Sequence, residues 1–169
     1  MQLVRLLYFS RNRLAQFDGP IEARLAELVA AATAHNLRDG VTGVLVHDDK
    51  WFAQALEGEQ DSISRTFERI LRDSRHCDVT LITMRPVGVR RFGSAPVQSI
   101  AWSEDKAEIF RHYGEGPRLQ PQLIAADRLA DLLEVLLQHA NQPSSRAPSL
   151  APHPTRGAQW QTGNATNAA

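Results

Sequence analysis

The stretch His35–Gly58, H-N-L-R-D-G-V-T-G-V-L-V-H-D-D-K-W-F-A-Q-A-L-E-G, decides the fold that the sequence predicts. Residues 41–46 are rich in β-branched side chains and predict a strand. Residues 47–50 have the composition of a turn, and residues 51–56 form a second β-prone run that ends before a glycine. The stretch therefore predicts a β-hairpin.

Gln54 is the notable polar residue of this hairpin. Side chains alternate between the two faces of a strand, so Gln54 shares a face with Phe52 and Leu56. A buried carboxamide without partners costs about 1–3 kcal/mol for each unpaired group. The sequence therefore predicts that a polar partner meets Gln54.

The chain around the hairpin supplies further strands and two helices. Residues 3–9 are apolar on both faces and predict a central strand, whereas a helix should run from Asp18-Gly19-Pro20 to about Ala34. A second helix should end near Arg72, followed by strands at 79–84 and 97–102. The order strand, helix, strand, strand, helix, strand, strand predicts an α+β fold with both helices on one face of a mixed sheet.

The C-terminal part of the chain predicts two more helices and a tail. A short helix is expected at 103–113, and residues 122–139 carry a broad leucine stripe. This stripe should pack on the free face of the sheet, with a second copy of the chain as the alternative. The predicted organisation is a domain at 1–102, capping helices at 103–140 and a disordered tail at 141–169, which is rich in Pro, Ser, Ala and Asn.

Composition argues against several classes of function. Nineteen basic residues balance nineteen acidic ones, so no excess of positive charge favours direct binding of nucleic acid or an anionic membrane. A single cysteine, Cys77, excludes an internal disulfide and favours a reducing compartment. The sequence shows neither a signal peptide nor a membrane-length apolar run, which predicts a cytoplasmic protein. The six histidines are dispersed, so no metal site is expected.

Five polar residues nevertheless fall near the ends of the predicted elements around the two helices: Tyr8, Asn36, Gln54, Arg75 and His76. Amide side chains can bind the edge of a flat heterocycle because they both donate and accept hydrogen bonds, and arginine binds phosphate well. Each residue also has a simpler interpretation, in which Asn36 closes the first helix and His76 lies on the surface. The residues alone indicate a small α+β domain and raise the hypothesis of a planar ligand.

The ordered motifs of the chain resemble those of the BLUF family, the blue-light sensors that use FAD. The resemblance covers roughly residues 2–100 and rests on five motifs, of which F-A-Q-A-L-E-G is the most distinctive. The motifs are Leu6–Ser10 L-L-Y-F-S, His35–Val46 H-N-L-R-D-G-V-T-G-V-L-V, Phe52–Gly58 F-A-Q-A-L-E-G, Arg72–His76 R-D-S-R-H and Arg90–Phe92 R-R-F.

This resemblance implies a ferredoxin-like fold with a mixed five-stranded sheet, β-α-β-β-α-β-β, and the flavin ring between the two helices. The C-terminal helices would then cover the other face. Six residues match positions that contact the flavin. Leu28 and Ile70 sandwich the ring, Asn36 bonds its pyrimidine edge, Gln54 hydrogen-bonds the ring, and Arg75 and His76 lie at the corner after the second helix.

Tyr8 and Gln54 match the photoactive pair of the family. In such domains an electron leaves the tyrosine for the excited flavin and a proton follows through the glutamine, after which rearranged hydrogen bonds shift the absorption to the red. The resemblance implies a photoreceptor without catalytic residues of its own. It would signal to a downstream protein of unknown identity, or within a homo-oligomer.

The chain departs from the family at the last strand. Family members commonly continue R-x-F-x-x-W-x-M, whereas the bulky positions are Ala95 and Val97 here, with Pro96 between them. Proline favours an edge strand or a bulge, and transmission of a signal through this strand is in question. The departure raises the alternative of a light-insensitive flavin-binding or protein-interaction module. An enzyme using Tyr8 and His76 is a third reading, disfavoured because no nucleophile is paired with a base.

Overall fold

The computed structural model describes residues 2–142. Over those residues the chain forms five β-strands and four α-helices, which are β1 Leu3–Asn12, α1 Ile21–Asp39, β2 Thr42–His47, β3 Trp51–Glu59, α2 Gln60–Arg72, β4 His76–Pro86, β5 Gln98–Ala101, α3 Ala107–Tyr113 and α4 Ala126–Asn141. The predicted order of elements is confirmed.

The strands form one mixed sheet in the order β4-β1-β3-β2-β5. The pair of β2 and β5 is parallel, and the other neighbours are antiparallel. Strand β1 lies between β3 and β4, as its apolar residues on both faces predict. The predicted α+β fold is therefore confirmed, with its hairpin formed by β2 and β3.

Each face of the sheet packs against a different pair of helices. The face that carries Leu6, Tyr8 and Leu56 packs against α2 and its buried Ile63, while Leu28 of α1 packs beside it on Leu45 and Phe52. The opposite face packs against α4, whose leucine stripe is almost fully buried (Leu129, Leu132, Leu133, Leu136 and Leu137). The sheet of the same chain therefore covers this stripe. The prediction that the stripe packs on the free face of the sheet is confirmed.

Helix α1 and strand β1 run further than the sequence predicts, as do β3, which extends to Glu59, and β4, which spans His76–Pro86. Helix α1 continues past Ala34 to Asp39, so Asn36 lies in its last turn and not beyond its end. The helix stops at Gly40, whose φ of 65° is the left-handed conformation that glycine adopts readily. Strand β1 continues past Phe9 to Asn12, because its polar end still pairs with β3 and β4. Tyr8 therefore lies inside β1 rather than near its end.

The C-terminal helices begin later than predicted. Helix α3 follows a short 3₁₀ turn at Glu104–Lys106, and α4 begins at Ala126 after a second 3₁₀ turn. The predicted tail starts at Asn141, the last residue of α4, and residues 143–169 of that tail lie outside the described residues. The proposed boundary at 102/103 stays a prediction. Within residues 2–142, no helix has the length and apolar character that a membrane crossing requires.

Candidate functional site

A cleft of about 340 Å³ opens between α1, α2 and the sheet. This volume lies within the range of roughly 300–1,000 Å³ that is typical of small-molecule sites. The structure brings all seven site residues predicted from the sequence to the lining of this cleft: Tyr8, Leu28, Asn36, Gln54, Ile70, Arg75 and His76. None of them lies elsewhere on the molecule.

Tyr8 and Gln54 face each other across the pair of β1 and β3. They are direct partners in the antiparallel register, and the phenol of Tyr8 donates a hydrogen bond of 2.6 Å to Oε1 of Gln54. Both residues are buried. The polar partner that the sequence predicts for Gln54 is therefore the tyrosine on the neighbouring strand.

The environment of Tyr8 keeps its phenol protonated. Burial raises the pKa of Tyr8 far above its ordinary value, and the negative charge of Asp73 raises it further. The ring also packs against Phe67, with the two ring centroids 5.7 Å apart. Tyr8 is thus held as a neutral donor whose one hydrogen bond points at Gln54.

Gln54 and Asn36, the two amide side chains of the cleft, each have a hydrogen-bonding group that no other residue within 2–142 engages. Within residues 2–142, no group accepts a hydrogen bond from the amide nitrogen of Gln54. Asn36 donates from Nδ2 to the carbonyl of Pro96 at 3.0 Å, and its Oδ1 has no donor among the same residues. The cleft therefore offers both donors and an acceptor to a ligand. This complement fits a flat heterocycle that carries N–H and C=O groups.

Leu28 and Ile70 form the apolar walls of the cleft. Leu28 comes from α1 and is 5% exposed, while Ile70 comes from α2 and is half-buried. Both side chains border the open volume, so the space beside them is not filled by side chains of residues 2–142. Two aliphatic walls with amides at the rim suit a planar aromatic ring, and the residues present fit the flavin that the resemblance implies.

His76 is a buried residue at the start of β4. Its Nδ1 lies 2.8 Å from the hydroxyl of Ser10, and its ring centroid lies 4.7 Å from that of Phe52. The surface position considered from the sequence is therefore wrong. Burial lowers the pKa of His76 to about 4, although the charge of Asp73 acts in the opposite direction. His76 is consequently neutral at physiological pH.

This neutral histidine predicts a pH dependence of stability. An unfolded histidine titrates near 6.5 and the folded His76 near 4, so between these values the unfolded state binds more protons. The free energy of unfolding should therefore decrease as the pH falls from about 6.5 to about 4, and His76 should contribute about 3 kcal/mol of this decrease. Urea unfolding of the wild type and of His76→Gln measures the difference. His47, whose pKa burial also lowers, remains in both proteins, so the comparison isolates His76. The prediction would be contradicted if the free energy of unfolding depended on pH in the variant as it does in the wild type.

Arg75 is held in place at the rim by Asp73. Its guanidinium pairs with the Asp73 carboxylate at 2.6 Å. Although burial opposes ionisation, the hydrogen bonds and charge of Arg75 hold the pKa of Asp73 below its ordinary value. Arg69 lies at the same rim and donates to Asp39 and to Thr66, each at 2.8 Å. The mouth of the cleft therefore presents guanidinium groups that are each oriented by an acid.

Sequence reasoning missed Thr66, Arg69 and Asp73 as lining residues. One signal could have found them, because Thr66, Ile70 and Asp73 follow the i, i+4, i+7 spacing of one helical face. Once Ile70 is placed in the cleft, its neighbours on that face follow. Arg69 lies three residues after Thr66 and shares this face, but its pairing with Asp39 could not be predicted in this way, since it depends on how α1 and α2 meet.

The segment that departs from the family pattern lies beside the cleft. The Ala95 carbonyl accepts a hydrogen bond from the Gly43 N–H at 3.2 Å, and the Pro96 carbonyl accepts one from Asn36. Val97 packs against the cluster that contains Leu28. Strand β5 begins only after this segment and forms the edge of the sheet, as the proline predicts.

Comparison with known proteins decides the family. Residues 3–98 match the model of the BLUF family, described as sensors of blue-light using FAD. The chain belongs to the BLUF family. The match spans more than half of the chain, and it includes every residue that the structure gathers at the cleft. FAD is the named chromophore of this family.

Individual BLUF relatives are light-regulated signalling proteins. The chain is 30% identical over 96 residues to the blue light- and temperature-regulated antirepressor BluF of Escherichia coli (strain K12), a match that covers 57% of this chain and 23% of that protein. It is 37% identical over 70 residues to the photoactivated adenylate cyclase subunit beta of Euglena gracilis, over 41% of this chain and 8% of that protein. The chain thus spans less than a quarter of the length of these relatives.

A solved BLUF structure resembles most of the described chain. The photo-activated state of BlsA superposes with a TM-score of 0.71 and 28% sequence identity, over 80% of this chain and 94% of that one. This coverage extends beyond residues 3–98 and so reaches into the C-terminal helices.

Proposed function

We propose that this BLUF chain is a blue-light photoreceptor that binds FAD in the cleft between α1 and α2 and signals through the pair of Tyr8 and Gln54. The observation that carries the proposal is the buried 2.6 Å hydrogen bond from the phenol to the carboxamide, together with the carboxamide N–H groups left without a partner within residues 2–142. The carboxamide oxygen of Gln54 is bonded to the phenol, and its amide nitrogen, which has no partner among the described residues, is free to bond a ligand. Such a pair can respond to a bound chromophore.

The cofactor-binding role is proposed for residues on both helices and the sheet. Leu28 and Ile70 would sandwich the flavin ring, and Asn36 and Gln54 would hydrogen-bond its edge. Arg75 and the neutral His76 would contact the cofactor at the rim, where the guanidinium suits phosphate. Bound FAD would supply the absorption of blue light and an excited state that accepts an electron.

The chain's own contribution to the photochemistry is to move a proton between Tyr8 and Gln54. A neutral phenol is a very weak acid, and its burial makes deprotonation harder still. Loss of an electron makes the phenol acidic, and its proton can then pass along the existing hydrogen bond to the oxygen of Gln54. Return of the electron and the proton restores the phenol, so the lasting change is in the hydrogen bonds that Gln54 makes.

The energies of these hydrogen bonds explain why light is needed. An exchange of neutral hydrogen bonds is worth about 1 kcal/mol, whereas shifting a population from about 1:99 to 99:1 requires about 5.5 kcal/mol. The exchange of hydrogen bonds alone would therefore be too weak to switch nearly all molecules from one arrangement of Gln54 to the other. Light would populate the other arrangement, which should decay in darkness.

Output would pass to a partner protein through the C-terminal helices. Glu57 lies three residues after Gln54 on β3, faces the α4 side of the sheet and accepts hydrogen bonds from the backbone N–H groups of Arg91 and Phe92. The Arg91 side chain in turn pairs with Asp131 and with Glu134 on α4. These contacts connect the photoactive strand to α4 without the bulky residues that Ala95 and Val97 replace. A homodimer is the alternative route.

The second candidate is a light-insensitive flavin-binding or interaction module of the same fold. It is favoured by Ala95 and Val97, which replace two bulky side chains beside the cleft with small ones. Such a module would bind flavin and leave its absorption unchanged by light. The two candidates therefore differ in a single spectroscopic property.

Gln54→Leu tests the proposed role of the carboxamide. Leucine keeps the volume of the side chain but can neither donate nor accept a hydrogen bond, so the variant should bind flavin and lose the light-induced red shift entirely. Absorption spectra in darkness and under blue light measure both properties. The matched control is Gln138→Leu, at an exposed position of α4, which should keep the full shift. A normal shift in Gln54→Leu would refute the assignment.

A further inference from the structure

A second cleft of about 340 Å³ lies on the same face of the sheet, nearer the N-terminus of α1. It is separated from the flavin cleft by the apolar cluster of Leu14, Leu28, Leu45 and Phe52. Its walls are mainly apolar and come from the segment after β1, the start of α1 and the end of β5: Leu14, Ala15, Ile21, Leu25, Ala101 and Trp102.

His47 is the polar group of this cleft that lacks a partner. The residue is 8% exposed, and its ring packs on Phe52, with the ring centroids 6.3 Å apart. No group within residues 2–142 forms a hydrogen bond with its imidazole, in contrast to His76 with its contact to Ser10. Within residues 2–142 no buried side-chain nitrogen or oxygen lacks a partner, so the unbonded ring nitrogens of His47 are open to the cleft, where a ligand can reach them.

Two other polar side chains of the cleft, the half-buried Asn12 and the buried Asp48, are already engaged. Asn12 donates to the carbonyl of Asp48 and accepts from the N–H of Leu14. The Asp48 carboxylate accepts from the N–H groups of Lys50 and Trp51, each at 2.8 Å. These bonds stabilise the turn between β2 and β3 and leave the imidazole as the available polar group beside it.

Negative charge outweighs positive charge around the cleft. Glu22, Asp48 and Asp49 line it, whereas Arg118 is the one guanidinium among its lining residues. Arg118 is itself engaged, because it pairs with Asp49 at 3.3 Å and lies 3.8 Å from the centroid of the Trp102 ring. The cleft therefore favours a cation over an anion.

We propose that this second cleft binds a small aromatic amine, whose ring packs against Leu25 and Trp102 and whose ammonium donates a hydrogen bond to His47. Burial lowers the pKa of His47, which keeps the imidazole neutral and able to accept that bond. The carboxylates of Glu22 and Asp48 supply the compensating negative charge. Nothing in the proposed photochemistry of Tyr8 and Gln54 requires this second site.

The test uses the full chain with its flavin, kept in darkness, and phenethylamine as the probe. Titration to millimolar concentration, followed by NMR, should give saturable shifts of the Trp102 indole N–H and the Ala101 amide. A hydrogen bond to a charged group is worth about 1.5–3 kcal/mol, so His47→Phe should weaken binding at least about tenfold. The exposed His112→Phe is the matched control and should bind as the wild type does. Phenylacetate, with the opposite charge, should bind at least about tenfold more weakly than the amine.

Ala101→Phe provides a test that does not depend on His47. Ala101 is exposed and borders the cleft, so a larger side chain there should fill the volume and abolish binding, while the flavin absorption shows that the fold is intact. The proposal is overturned if phenethylamine causes no saturable shift at Trp102 or Ala101, or if His47→Phe binds it as tightly as the wild type. Equal binding of phenylacetate, or shifts confined to the flavin cleft, would overturn it as well.

Discussion

Substitution of Glu57 by leucine should lower the free energy of unfolding by about 3–5 kcal/mol, because it removes one partner of a buried ion pair. The Glu57 side chain is fully buried and lies 2.7 Å from the guanidinium of Arg5, which is itself 7% exposed. The same carboxylate accepts the backbone N–H groups of Arg91 and Phe92. Leucine would leave a buried positive charge and two buried donors without an acceptor. Urea unfolding in darkness measures the loss.

Two comparisons make this result specific. Glu59→Leu lies on the same strand at an exposed position, and its effect should stay within about 0.5 kcal/mol. The double variant Arg5→Leu with Glu57→Leu removes both charges and should be less destabilised than the sum of the single variants, because neither charge is left unpaired. A loss below about 1 kcal/mol in Glu57→Leu would show that the carboxylate does not hold this network together.

Tyr8→Phe should abolish the light-induced red shift completely while flavin stays bound. Phenylalanine keeps the packing of the ring against Phe67 but removes the hydroxyl that donates to Gln54. The residue would then have neither the oxidisable phenol nor the proton that the proposed exchange requires. Loss of the buried hydrogen bond should also lower stability by about 1–3 kcal/mol. Absorption difference spectra and urea unfolding measure the two effects.

The control for this variant is Tyr113→Phe. Tyr113 is a half-buried tyrosine at the end of α3, on the other side of the sheet, and its loss of a hydroxyl should leave the red shift unchanged. A red shift of normal size in Tyr8→Phe would mean that another residue supplies the electron. That outcome would remove Tyr8 from the proposed photochemistry while leaving the fold assignment intact.

Much of the fold could be predicted, because the strands and helices follow from residue patterns within short segments of the sequence. The β-prone run at 51–56 gives the strand, and the alternation of side chains between its two faces gives the face of Gln54. The two apolar faces of residues 3–9 give the central position of β1. The ends of elements depend on contacts between distant residues. Asn36 stays helical with its side chain bonded to Pro96, sixty residues away, which no local pattern indicates.

The sequence motifs predict which residues meet at the cleft, but not how the structure holds each of them there. The motifs brought Tyr8 and Gln54 together, whereas pairing of Arg75 with Asp73 and burial of His76 could be read only from the structure. Glu57 illustrates the limit well. Its sequence context favours a capping or turn role, and it does accept backbone N–H groups, but those groups belong to a loop 34 and 35 residues further along the chain.

The most direct measurement is the absorption spectrum of the purified protein before, during and after exposure to blue light. We predict a yellow protein whose flavin absorption shifts to the red under blue light and returns in darkness. A colourless protein that also fails to take up added FAD would contradict the proposed cofactor. A yellow protein whose spectrum does not change under blue light would contradict the proposed photoreceptor function.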